Sequence, residues 1–144
     1  MKHIIIATIL AVSGCTHGSA ENIYKDKFIT KPVRIMVEAF LNNDLSAYRN
    51  SMEPQYFERR SQSDVNIELD AGVQTFDQWF KGAKVSDFIF TVEDVRLPAK
   101  LKPSYKEVSY GLRGKEARLR LLVHLENNEW KIADPTHPHE AYEK

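Results

Sequence analysis

Gly82 separates two hydrophobic rhythms in this chain. Before it, apolar residues recur at the 3.6-residue spacing of an amphipathic helix. After it they alternate, as in a strand with one buried face. Helices followed by strands restrict the fold to the α+β class, with helices laid on an antiparallel sheet.

The first helix is expected from near Lys31 to Asn42, since Val33, Met36, Val37, Phe40 and Leu41 share one face. Thr30 suits its N-cap and Pro32 its first turn. Asn42-Asn43 end it, and Asp44 caps a short helix carrying Leu45 and Tyr48 that stops before Pro54. Tyr56 and Phe57 are expected on the core, with Glu58, Arg59 and Arg60 in water. Ser61 and Asp64 have capping-box spacing and open a third helix, with Leu69, Val73, Phe76, Trp79 and Phe80 buried and Gly82 stopping it.

Beyond Gly82, Phe88, Phe90 and Val92 alternate with Ile89, Thr91 and Glu93. Val95 and Leu97 take the opposite phase, which calls for a bulge near Glu93-Asp94. Val108, Tyr110 and Leu112 mark a second strand. Ala117, Leu119, Leu121, Val123 and Leu125 mark a third, with Arg118, Arg120 and His124 on its other face. Asn127-Asn128 reads as a hairpin turn into a last strand with Trp130 and Ile132, ended by Pro135. The expected architecture is three N-terminal helices on one face of a curved four-stranded antiparallel sheet.

Two segments carry a family resemblance. Phe40-Leu41-Asn42-Asn43-Asp44-Leu45-Ser46-Ala47-Tyr48 is similar to the helix, polar break and helix that open the NTF2-like (cystatin-like cone) superfamily. Asn127-Asn128-Glu129-Trp130-Lys131-Ile132-Ala133-Asp134 is similar to its closing hairpin. The resemblance implies a cone-shaped α+β domain. It carries no catalytic set onto this chain, because none of the superfamily's acid, His or Tyr constellations can be matched residue by residue.

The N-terminus carries a second pattern. Met1-Lys2-His3 is a short basic start, and Ile4 to Val12 is a run too short to span a bilayer, which takes about 20 apolar residues. Its length and flanks are those of a signal-peptide core. Val12-Ser13-Gly14-Cys15 follows and resembles the bacterial lipobox, departing only in Val where Leu is commoner. The resemblance implies cleavage after Gly14, lipid on the Cys15 thiol and a periplasm-facing domain. Thr16, not Asp, follows the cysteine, which by the same resemblance implies export to the outer membrane. The expected divisions are a signal peptide at 1–14, an anchor and tether at 15–29, the NTF2-like domain at 30–135 and a polar tail at 136–144.

The 20 basic and 20 acidic residues balance, so no positive excess points to nucleic acid. Cys15 is the one cysteine, so no disulfide can form within the chain. His137, His139 and Glu140 have the types and spacing of a weak metal site, but read first as a solvated tail. His124 would be a pocket base only if its strand face lined a cavity, and is expected on the outer sheet surface. Tyr110 with Asp94 or Glu93 could imitate an isomerase acid pair, although a buried Tyr is first a core residue. Trp79, Phe80, Phe88 and Phe90 are expected in the core, and only secondarily as the walls of a ligand pocket.

No cofactor is expected and no catalytic residue is assigned. The leading reading is a non-enzymatic, lipid-anchored binding domain of the cell envelope. Its partner would be membrane lipid through Cys15, together with an envelope protein or a small apolar ligand. The alternatives are a small ketosteroid-isomerase-like enzyme acting in the cone, and an immunity lipoprotein that neutralises a toxin.

Overall fold

The computed structural model describes residues 20–93 and 97–134, with side chains from Tyr24 onward. Four helices come first: α1 (Ala20–Asn42), α2 (Leu45–Ser51), α3 (Pro54–Glu58) and α4 (Gln62–Trp79). A 3-10 turn at Val85–Asp87 leads into β1 (Phe88–Glu93), β2 (Tyr105–Leu112), β3 (Leu119–Glu126) and β4 (Glu129–Ile132). The strands form one antiparallel sheet in the order β1-β2-β3-β4. Helices packed on a four-stranded antiparallel sheet are the architecture that the change of period implies.

α1 begins at Ala20, well before the expected Lys31, so residues 20–29 are helical where a tether was expected. Pro32 lies inside the helix and Thr30 is not its N-cap; the Thr30 hydroxyl instead donates back to the Asp26 carbonyl at 2.9 Å. A proline removes one backbone donor, but packing can hold the helix across the gap. Ile29 and Val33 on either side of Pro32 are buried in the core. Tyr24 and Phe28, one turn apart, make an edge-to-face pair at 4.9 Å.

Downstream, the capping logic holds. Asn43 takes a left-handed φ of 53° after the last turn of α1. Asp44 then accepts the Ala47 N–H at 3.0 Å and starts α2. Ser61 and Asp64 form a reciprocal capping box at the start of α4. The short helix α3 was not expected; Pro54 sits at its first turn, where its missing N–H costs nothing. Between α2 and α3, Met52 pairs in parallel with Ile132, and Glu53 N–H donates to the Ile132 carbonyl at 2.9 Å. That clip brings Glu53 to the edge of β4.

The core lies between α1, α4 and one face of the sheet. Phe90 faces Tyr110 and Val92 faces Val108 across β1–β2, and Val123 faces Ile132 across β3–β4. Val33, Val37, Leu69 and Phe76 meet them from the helices. Trp79 corrects the expected helix face: it is 59% exposed, because α4 ends there and turns its last residue outward. Gly82, at φ 77°, lies in the turn that follows the helix rather than at its cap. β3 also departs from its expected uniform apolar face. Ala117 precedes the strand and is exposed, and Leu119 is 37% exposed, whereas Leu121 and Val123 pack on the core. Leu122 points the other way and is buried with Leu97, Ala133 and Tyr105. The sheet therefore has a small second core on the face away from α1. The bulge expected near Glu93-Asp94 falls at the end of β1, where Glu93 is its last residue and Asp94 lies outside the described residues.

Candidate functional site

Two features stand out, and the groove between α1 and the β3–β4 hairpin is the larger, at about 850 Å³. Helical spacing puts Phe28, Ile29, Pro32 and Ile35 along one stripe of α1, and Trp130 faces them from β4. Lys25, Lys31 and Lys131 line the same groove, against the single carboxylate of Glu129. Phe28 is 49% exposed, more than a core aromatic would be. Lys131 is held in place by the Asn50 carbonyl at 2.7 Å. Lys131 is also ion-paired with Glu129 at 3.4 Å. The groove thus offers apolar walls with lysines along its rim.

The second feature is a polar chain where β3 and β4 meet α2 and α3. Glu53 is 3% exposed. One of its carboxylate oxygens accepts from His124 Nδ1 at 2.7 Å and the other from Asp134 N–H at 3.1 Å. Tyr105 stacks on the His124 ring, with centroids 4.3 Å apart and planes 9° from parallel. Glu126 shares the His124 face by strand alternation, and Gln55 Nε2 donates to its Oε1 at 2.9 Å. Among the described residues, Glu53, His124 and Glu126 offer three ligand atoms within 4.8 Å of one another.

The chain continues through buried Asp134 to Arg60, 3.7 Å away. Arg60 donates to Glu68 at 3.0 Å and lies over the Tyr56 ring at 3.7 Å. Tyr56 donates to Glu68, and the Tyr48 and Tyr56 hydroxyls are 3.1 Å apart. Burial, and then the Glu68 negative charge, push the Tyr48 phenol up to about 12. Burial likewise raises the Glu68 carboxyl; a phenol hydrogen bond opposes the shift and Asp134 adds to it.

The structure therefore moves His124 from the open sheet surface expected for it to a half-buried site against Glu53. Sequence could not show this, because Glu53 lies 71 residues away and reaches the site through the Met52–Ile132 clip. Tyr110 and Glu93 do not form an acid pair. Tyr110 lies on the core face, stacked on Phe90 and Phe76, with burial pushing its phenol up to about 12. Glu93, by alternation along β1, faces the opposite side, where it pairs with Arg120 at 3.4 Å. Phe80 and Tyr110 instead border a shallow apolar recess of about 350 Å³ together with Trp79 and Leu119. Cys15, Asp94, His137, His139 and Glu140 lie outside the described residues. Among the described residues, no helix is long and apolar enough to cross a membrane.

No family model matches the chain, and no curated protein matches it. Among solved structures it is similar to an NTF-2 like protein of unknown function from Shewanella oneidensis MR-1. The two share 15% identity over 74% of this chain and 92% of the other, with a TM-score of 0.35.

Proposed function

We propose that this chain is a lipid-anchored, non-enzymatic binding domain with an NTF2-like fold, facing the periplasm from a bacterial outer membrane. Its ligand is a small amphiphile with an apolar body and an acidic group, held between α1 and the β3–β4 hairpin. The observation that carries this reading is the groove itself. Phe28, Pro32, Ile35 and Trp130 supply apolar wall, and Lys31 stands on the same lining, beyond the Lys131–Glu129 ion pair. Binding sites of this kind combine a mostly apolar lining with a few charged groups that fix orientation. The anchor rests on Val12-Ser13-Gly14-Cys15 at the end of the apolar run, and the choice of membrane on Thr16. Attachment through more than one acyl chain is firm, since each buried CH₂ contributes about 0.8 kcal/mol.

Tryptophan emission tests the groove. The chain has two tryptophans, so Trp79→Phe leaves Trp130 as the reporter. Titrating dodecanoate into that variant is expected to give a saturable change, weakened at least about tenfold by adding Phe28→Glu, a loss of roughly 1.4 kcal/mol. A flat titration, or one indifferent to Phe28→Glu, contradicts the groove assignment. The anchor is tested separately: Cys15→Ser should abolish lipid labelling and release the protein from the membrane fraction.

A further inference from the structure

We propose that Glu53, His124 and Glu126 form a binding site for one divalent transition ion of the zinc type, which fastens β3 to the link between α2 and α3. This assignment is independent of the groove. Three observations support it.

The first is convergence. An imidazole and two carboxylates place ligand atoms within 4.8 Å of one another, the donor types that zinc takes at about 2.0–2.2 Å. His124 and Glu126 are two apart on β3 and so share a face, while Glu53 is delivered from the opposite side by the Met52–Ile132 pairing. The hydrogen bond at 2.7 Å between Glu53 Oε1 and His124 Nδ1 marks the gap that an ion would enter. Entry widens that gap by a fraction of an ångström, and the imidazole proton leaves the ligating nitrogen.

The second is an oxygen without a partner. Gln55 fixes Glu126 Oε1, but Glu126 Oε2 is buried and accepts no hydrogen bond. The side-chain oxygen of Gln55 is buried and unpartnered in the same way. Buried polar atoms are nearly always satisfied, by protein, by water or by an ion. The Glu126 oxygen would meet the ion, and the Gln55 oxygen a water on it.

The third is an outer shell already in place. Asp134 N–H holds one oxygen of Glu53, Gln55 holds one oxygen of Glu126, and Tyr105 fixes the plane of His124 by stacking. Partners of this kind orient metal ligands, and their loss typically lowers affinity about 10–100-fold. The imidazole favours zinc and its neighbours over magnesium or calcium, which prefer oxygen throughout.

The test is zinc titration of the full untagged chain against a chromophoric chelator, with thermal unfolding followed in parallel. One equivalent of zinc is expected to bind and to raise the melting temperature, whereas magnesium does neither. Glu126→Gln, a near-isosteric change at a half-buried position, is expected to weaken zinc binding about tenfold or more, and Gln55→Leu by a similar factor. The double change His137→Ala with His139→Ala is expected to leave that equivalent intact. Absence of stoichiometric binding overturns the proposal. So does zinc that is insensitive to Glu126→Gln, or zinc lost with the two C-terminal histidines.

Discussion

His124 Nδ1 meets Glu53 Oε1 at 2.7 Å across 71 residues of chain, joining β3 to the segment that enters α3. The same carboxylate also receives the Asp134 backbone N–H, so one buried side chain satisfies two separate donors. Removing it takes that acceptor from both. Glu53→Ala is expected to cost about 1–3 kcal/mol through loss of the buried Asp134 N–H contact, and further through loss of the His124 contact. Urea unfolding measures the loss. A change within about 0.5 kcal/mol, the level of an ordinary surface substitution, would show that the contact does not hold the link in place.

Burial separates neighbouring aromatics on α4. Phe76 stacks on Phe88 and Tyr110 inside the core, whereas Trp79 is mostly exposed. Phe76→Ala is therefore expected to cost about 3–5 kcal/mol and Trp79→Ala far less. Equal losses would return Trp79 to the core.

The second core gives a similar contrast on β3. Leu122 is buried on the face away from α1, and Leu119 is partly exposed on the other. Leu122→Ala should cost about 2–5 kcal/mol, and Leu119→Ala clearly less. Denaturant midpoints at constant slope decide the order.

The start of α4 has a pH signature. Hydrogen bonds from the Ser61 side chain, and then from its backbone N–H, hold the Asp64 carboxyl below its ordinary value of 3.8. A depressed carboxylate stabilises the fold above its unfolded pKa, and this contribution is lost as pH falls through the folded one. Asp64→Asn is thus expected to lower the melting temperature at pH 6 and to approach the parent protein as pH drops below 3.8. Ser61→Ala should cost about 1 kcal/mol at neutral pH. A gap between Asp64→Asn and the parent that stays constant with pH would contradict the capping box.

Local chemistry was legible in the sequence. Asp44, the Ser61–Asp64 box and the Asn127-Asn128 turn each act through neighbours within four residues, and the turn's φ values of 50° and 62° are those its asparagines tolerate. What escaped was set by packing. Pro32 marked a helix start on local grounds, but Ile29 and Val33 bury on both sides of it and carry α1 through. Leu122 sits in the polar phase of β3 and finds its core only through Leu97 and Ala133. Glu53 carried no motif, because a glutamate before a proline becomes a site residue only when Met52 pairs with Ile132. The groove likewise needs α1 extended back to Lys25 and placed beside Trp130, an adjacency no periodicity encodes.

Native mass spectrometry of the full chain, extracted in mild detergent from the membranes of a Gram-negative host, tests the proposed function most directly. It reads the covalent anchor and the groove's occupant in one spectrum. The expected species begins at Cys15, carries the mass of attached acyl groups, and retains a small acidic amphiphile that Phe28→Glu removes. A chain with no lipid on Cys15 would contradict the anchor. A lipidated chain whose spectrum is the same with and without Phe28→Glu would contradict the binding role of the groove.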